Sequence, residues 1–224
     1  MTTGRNRRMG TIMTTRVLAL SVATLGLLAS GCVEDLVAPP PAPTEAVLMH
    51  YWHFNNLPEG TLTAAVAADV SKIPGANITY PGTGTGYMDR VSPGSDLNLR
   101  EGQPPGFGLR PRNPANTREL IIAASSQGHH KLKVSFAVTR SGSGALQEEF
   151  FYSVDGGAWV KVGQAYDIST AEVYQLQEFD LSTVTAVNNK ANLRFRIMFL
   201  GPNAAGSSGN NRFDNFLIEG VPLS

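Results

Sequence analysis

Two stretches of this chain alternate apolar and polar side chains so regularly that the backbone must be extended along them. In Lys131 to Arg140, Leu132, Val134, Phe136 and Val138 alternate with Lys133, Ser135, Ala137 and Thr139. In Asn192 to Leu200, Leu193, Phe195, Ile197 and Phe199 alternate with Arg194, Arg196 and Met198. A strand turns every second side chain to one face, whereas a helix would spread this pattern around its axis. Each strand then has one greasy face that needs a dry partner.

The same short apolar runs, divided by Gly, Asn, Pro and Ser, recur at Val47 to Phe54, Leu62 to Ala68, Glu119 to Ala124, Glu149 to Val154, Ala158 to Val162, Val173 to Asp180 and Phe213 to Glu219. No ten-residue stretch carries a helical period. Many short strands with turns between them predict an all-β fold, a two-sheet antiparallel β-sandwich. Asp155-Gly156 reads as a hairpin turn, because the favoured two-residue turns need positive φ. The longer loops, Pro81 to Ser95 and Gly201 to Asn211, are rich in Gly and Ser and suit either binding or plain connection.

The first 46 residues follow another logic. Arg5, Arg7, Arg8 and Arg16 are the only charges before Cys32 and precede the apolar run Val17 to Leu28. That run is short of the ~20 residues a membrane-crossing helix needs and reads as the core of a cleaved signal peptide, residues 1–31. Ala29-Ser30-Gly31 before Cys32 resembles the lipobox of bacterial lipoproteins, with Ala29 where leucine is usual. The resemblance implies lipid on the Cys32 thiol and tethering to a membrane. Cys32 is the sole cysteine, which leaves it no intrachain disulfide partner. The alternative is a free thiol behind an ordinary secretory leader. Residues 32–46, with the run VEDLVAPPPAPTE, read as a proline-rich linker in extended form, reaching roughly 30 to 40 Å at ~3.1 Å per residue. Val33 stands where, by analogy with enteric lipoproteins, aspartate would retain the protein in the inner membrane, so the outer membrane is expected.

With the four leader arginines set aside, 14 basic residues face 18 acidic ones. No basic cluster remains to grip phosphates, which argues against nucleic acid as a partner.

The segments HYWHFNN at His50 to Asn56, ITYPGTGTGYMDRV at Ile78 to Val91 and FRIMF…GSSGNNRFDNFLIEG ending at Gly220 resemble the jelly-roll domains attached to secreted bacterial hydrolases, nucleases and surface proteins, which are similar in architecture to carbohydrate-binding modules. The resemblance spans nearly all of residues 47–224. It implies first and last strands paired in one sheet, and a structural calcium near them. By strand parity Asp214 shares a face with the core residues Phe216 and Ile218, and an inward carboxylate needs compensation. Asp214 with Asn55 or Asn56 forms the expected oxygen-ligand set for calcium. The other readings are a carboxylate that caps a turn or pairs with Arg212, or one turned outward by a bulge.

Trp52, Tyr87, Trp159 and Tyr174 are candidate platforms for stacking on sugar rings. Lys131, Lys133, Arg194 and Arg196 form an outward row. Catalytic patterns are weaker. His50 and His53 fall on opposite strand faces, as do Glu148 and Glu149, and His129-His130 sits in a turn. Ser141 to Ser143 lack a nucleophile elbow. Gly82, Gly84 and Gly86 lack the helix and Lys-Ser/Thr pair of a phosphate loop. Ser153 to Trp159 resembles the Asp-box of sialidase propellers but lacks its threonine, is one residue short and occurs once. The expectation is a non-catalytic surface module for glycan or another extracellular polymer. An accessory lipoprotein that binds another envelope protein is the alternative, and a hydrolase is a third.

Overall fold

The alternation in Lys131 to Arg140 and Asn192 to Leu200 seeds two different sheets. In the computed structural model, which describes residues 41–169 and 173–224, these segments are β8 (His129–Arg140) and β12 (Leu193–Leu200). The other strands are β1 (Val47–Trp52), β2 (Ala65–Ala67), β3 (Val70–Ser71), β4 (Asn77–Thr79), β5 (Met88–Val91), β6 (Gly108–Pro111), β7 (Glu119–Ala123), β9 (Gln147–Val154), β10 (Val160–Asp167), β11 (Gln175–Leu181) and β13 (Asn211–Pro222). The signal peptide, Cys32 and the first part of the linker lie outside the described residues. Residues 41–46 are exposed and carry no strand or helix.

One sheet runs β11-β8-β13-β1-β3, with β6 joined to β13 through Phe213 and Leu109, and β5 paired to β6. The other runs β10-β9-β12-β7-β4-β2. Every pairing is antiparallel, and β1 pairs with β13, so first and last strands are neighbours. This is a two-sheet antiparallel sandwich.

A run of aromatic rings crosses its otherwise mostly aliphatic core. Phe136 of β8 stacks on Phe216 of β13 (4.8 Å between centroids, 4° between planes) and on Phe179 of β11 (5.9 Å). Phe179 stacks on Phe150 of β9 at 4.0 Å, which carries the stack into the second sheet, and Phe150 meets Phe195 of β12 at 5.5 Å. All except Phe179, at its margin, are fully buried. Burial of such rings is worth a few kcal/mol each.

Two devices bend the ladders. In β13 the register with β8 shifts between Asp214 and Leu217, and Asn215 has φ +46°. Phe213 and Phe216 therefore both face the core, and Asp214 does not share their face: parity fails across an inserted residue. In β10 the register with β9 shifts between Val162 and Tyr166, with Gly163 at φ +69°. The predicted turn is present, with Asp155 at φ +53° and Gly156 at φ +76°.

The segment between β5 and β6 covers the outer face of the first sheet. Asn215 Nδ2 donates to the carbonyls of Ser95 and Leu97, Asn98 Nδ2 donates to Asn215 O, and the Arg100 amide donates to the Tyr51 hydroxyl. Asn98 Nδ2 also donates to Ser135 Oγ, so Ser135, on the outward parity of β8, is buried, while Thr139 on the same parity donates to Ser169 O.

Candidate functional site

Among the described residues no such segment covers the outer face of the second sheet over β9 and β12, and the residues predicted to point outward there do so. Val160 pairs with Tyr152, which sets Trp159 beside Ser153 on the outward face. Ser153 is small and fully buried although it faces outward, and its hydroxyl donates to Gly157 O. The half-buried indole extends from there to β12. There it meets the guanidinium of Arg196 at 4.7 Å and that of Arg194 at 5.4 Å from the ring centroid. Arg196 also lies over Phe151, at 4.3 Å. Arg196 Nε is buried without a hydrogen-bond acceptor, consistent with a cation held between π faces.

Charges on this face are mostly paired. Arg196 Nη1 reaches Glu119 Oε1 at 2.7 Å, and Lys161 Nζ reaches Glu149 Oε1 at 2.7 Å. Beside Arg194 the face opens into a shallow cleft of about 500 Å³, lined by Arg194, Asn192, Asp155, Ser125, Pro74 and other residues. The arrangement can stack a flat apolar surface on the indole and offer guanidinium and amide donors at its edge.

Of the other predicted platforms, Trp52 is a core residue. It is fully buried, edge-on to Phe216, with its Nε1 donating to Val66 O, so it has no face for a ligand. Tyr87 lies beside Arg112 (5.3 Å) in a separate cleft with Leu62, Tyr80 and Arg118. Tyr174 donates its hydroxyl hydrogen to Pro93 O on the covering segment. The expected row Lys131, Lys133, Arg194 and Arg196 is two sets, since the lysines belong to the first sheet and the arginines to the second. Phe151, Lys161 and Glu119 were not singled out from the sequence. Their register with Arg196 was the missing signal.

Asp214 turns away from the core into the covering segment. Its Oδ2 accepts the Ser95 amide at 2.6 Å and its Oδ1 that of Asn215 at 2.7 Å. Burial pushes its carboxyl up to about 8, against the two backbone N–H groups that favour the charge. Gly94 permits the approach, because a Cβ there would meet both Asp214 Oδ2 and Pro105 O. The facing Gly106, whose carbonyl accepts the Gly94 amide, is held by Asn55, which accepts the Phe107 amide and donates to Pro104 O. Asn56 instead donates to Asp69. Among the described residues no group of three His, Cys, Asp or Glu side chains converges on one point.

His50 and His53 do face opposite ways. His50 lies with Trp52 and contacts Ser71 Oγ and Ser125 O, while His53 lies with Tyr51. Glu149 points outward as described, and Glu148 is sealed inside.

No protein-family model and no curated protein matches the chain. Solved structures similar in fold include the CBM22-1-CBM22-2 tandem domain from Paenibacillus barcinonensis Xyn10C, with TM-score 0.49, 11% identity, and coverage of 82% of this chain and 47% of that one. TmCBM61 in complex with beta-1,4-galactotriose matches with TM-score 0.42, 10% identity, and coverage of 63% and 86%. The N-terminal cellulose-binding domain of Cellulomonas fimi beta-1,4-glucanase C matches with TM-score 0.41, 12% identity, and coverage of 64% and 88%. These are likenesses of sandwich architecture, and no ligand is carried over from them.

Proposed function

We propose that this domain is a non-catalytic binding module for glycan or another extracellular polymer, carried by an exported lipoprotein that Cys32 tethers to the outer membrane. The observation that carries the binding reading is the Trp159 platform. An indole backed by two guanidiniums on the outward sheet face is only half-buried and so keeps surface for a ligand. Sugar rings present C–H faces that stack on such a surface, with hydroxyls for the flanking polar groups.

The test is binding of the secreted domain to a panel of soluble polysaccharides by affinity electrophoresis and calorimetry, with W159A alongside. Saturable binding lost in W159A is expected. No saturable binding to any saccharide, together with a pulldown that recovers one envelope protein, would replace this reading with the accessory-lipoprotein one.

A structural calcium at Asp214 belongs to the same proposal. Asp214 Oδ2 and Pro105 O converge on Gly94, and Asn55 Oδ1 keeps a lone pair beyond its bond to Phe107. Hard, mostly neutral oxygens beside one carboxylate suit calcium. The bond of Asn56 to Asp69 draws its amide elsewhere, and Asp214 and Asn55 are the ligands retained.

A further inference from the structure

The charges around Trp159 do not cancel, and the residue left over identifies a class of ligand. Among the described residues, three cations here have carboxylate partners: Arg196 with Glu119 at 2.7 Å, Lys161 with Glu149 at 2.7 Å and Lys190 with the cleft residue Asp155 at 3.7 Å. Among the described residues Arg194 has no carboxylate partner, and none of their acceptors takes any of its side-chain N–H groups. Among the described residues its only side-chain partner is the Trp159 ring. Arg194 also lines a cleft of about 500 Å³, within the range of about 300 to 1,000 Å³ of small-molecule sites.

An arginine fixed on an aromatic ring, with its planar fork unspent, is preorganised for a carboxylate. Two parallel N–H donors match two carboxylate oxygens, and the stacking already limits the rotamers that binding would have to freeze. A neutral sugar hydroxyl would leave most of the fork unused. Asn192 adds an amide at the cleft wall, and the acidic residue there, Asp155, is engaged by Lys190.

Resting on the glycan reading above, we infer that this face selects acidic glycans, with a uronate ring stacked on Trp159 and its carboxylate bound by Arg194. The distinction from a neutral-glycan module is chemical. Esterifying the uronate keeps the ring and its hydroxyls but removes the charge that Arg194 reads.

The experiment compares polygalacturonate, alginate and a glucuronoxylan with their methyl-esterified forms, and includes neutral glucans and mannans, by calorimetry of wild type, R194Q and W159A. At least one acid polymer should bind, and its ester should bind about tenfold to a hundredfold more weakly, as expected for loss of a charge-assisted hydrogen-bonded pair. R194Q should bind acid and ester alike, at the weaker level, and W159A should lose both. Binding of wild type should also fall with added salt, whereas that of R194Q should respond far less. If acid and ester bind wild type equally, or only neutral polymers bind, the acidic selectivity is overturned while the glycan reading stands. If nothing on the panel binds, both are overturned. Circular dichroism and melting of R194Q and W159A, matched to wild type, separate loss of ligand contact from loss of fold.

Discussion

Asn211 Nδ2 donates to Glu148 Oε1 across 2.7 Å, inside a sandwich where that carboxyl has no exposed surface. Tyr166 donates to the other oxygen at 3.0 Å. Two neutral donors do not replace lost hydration, and burial pushes the Glu148 carboxyl up to about 8 from an ordinary value of 4.5. The folded protein therefore holds a proton there that the unfolded chain gives up. The stabilising effect is complete below the unfolded value and disappears as pH rises through the folded one. Denaturation free energy should decline between about pH 4.5 and 8, and E148Q should flatten that decline by up to ~1.4 kcal/mol per pH unit. Urea titrations at several pH values measure it, and parallel pH profiles for E148Q and wild type would refute it.

Phe136 touches Phe216, Phe213, Phe179 and Phe150, and so links both sheets. F136A should cost about 3 to 5 kcal/mol, the usual range for a buried phenylalanine. F151A, on the open face, should cost much less. Chemical denaturation of the pair separates core from platform.

Calcium at Asp214 predicts that chelator lowers the melting temperature and that added calcium restores it. D214N should melt at one temperature in both conditions. G94A should weaken the response as well, since its methyl group would occupy the space between Asp214 Oδ2 and Pro105 O. A wild-type melting curve indifferent to calcium removes the ion from this fold.

Lipidation at Cys32 predicts incorporation of labelled fatty acid by expressing cells and partition of the protein into detergent. C32S should abolish both and release the domain in soluble form. A labelled C32S protein would contradict the tether.

The sandwich was legible wherever one strand face is dry and the other wet, because alternation records that directly. Phe136, Phe150, Phe195 and Phe199 all face the core as their parity requires. The short strands β3 to β6 were not. Met88-Asp89-Arg90-Val91 and Gly108-Leu109-Arg110-Pro111 lack a hydrophobic period and are held instead by pairing, with Asp89 bound by both Arg110 and Arg112. Asp214 was misplaced for a related reason, since one inserted residue at Asn215 reverses the face of what precedes it. Within the site, Trp159 was visible as a candidate platform, and Arg194 and Arg196 as outward residues. Their meeting depends on which strands pair, and so does the contrast with Lys131 and Lys133, which a local pattern does not encode.

The kink in β10 bears on how copies of this protein coexist. That strand is one margin of the six-stranded sheet, the longer of the two, where an unbroken line of amide and carbonyl groups would invite another chain to add on. The shift around Gly163 breaks the line midway. A neighbour attempting to dock there finds no straight template, so molecules crowded together are kept from zipping into a continuous ribbon.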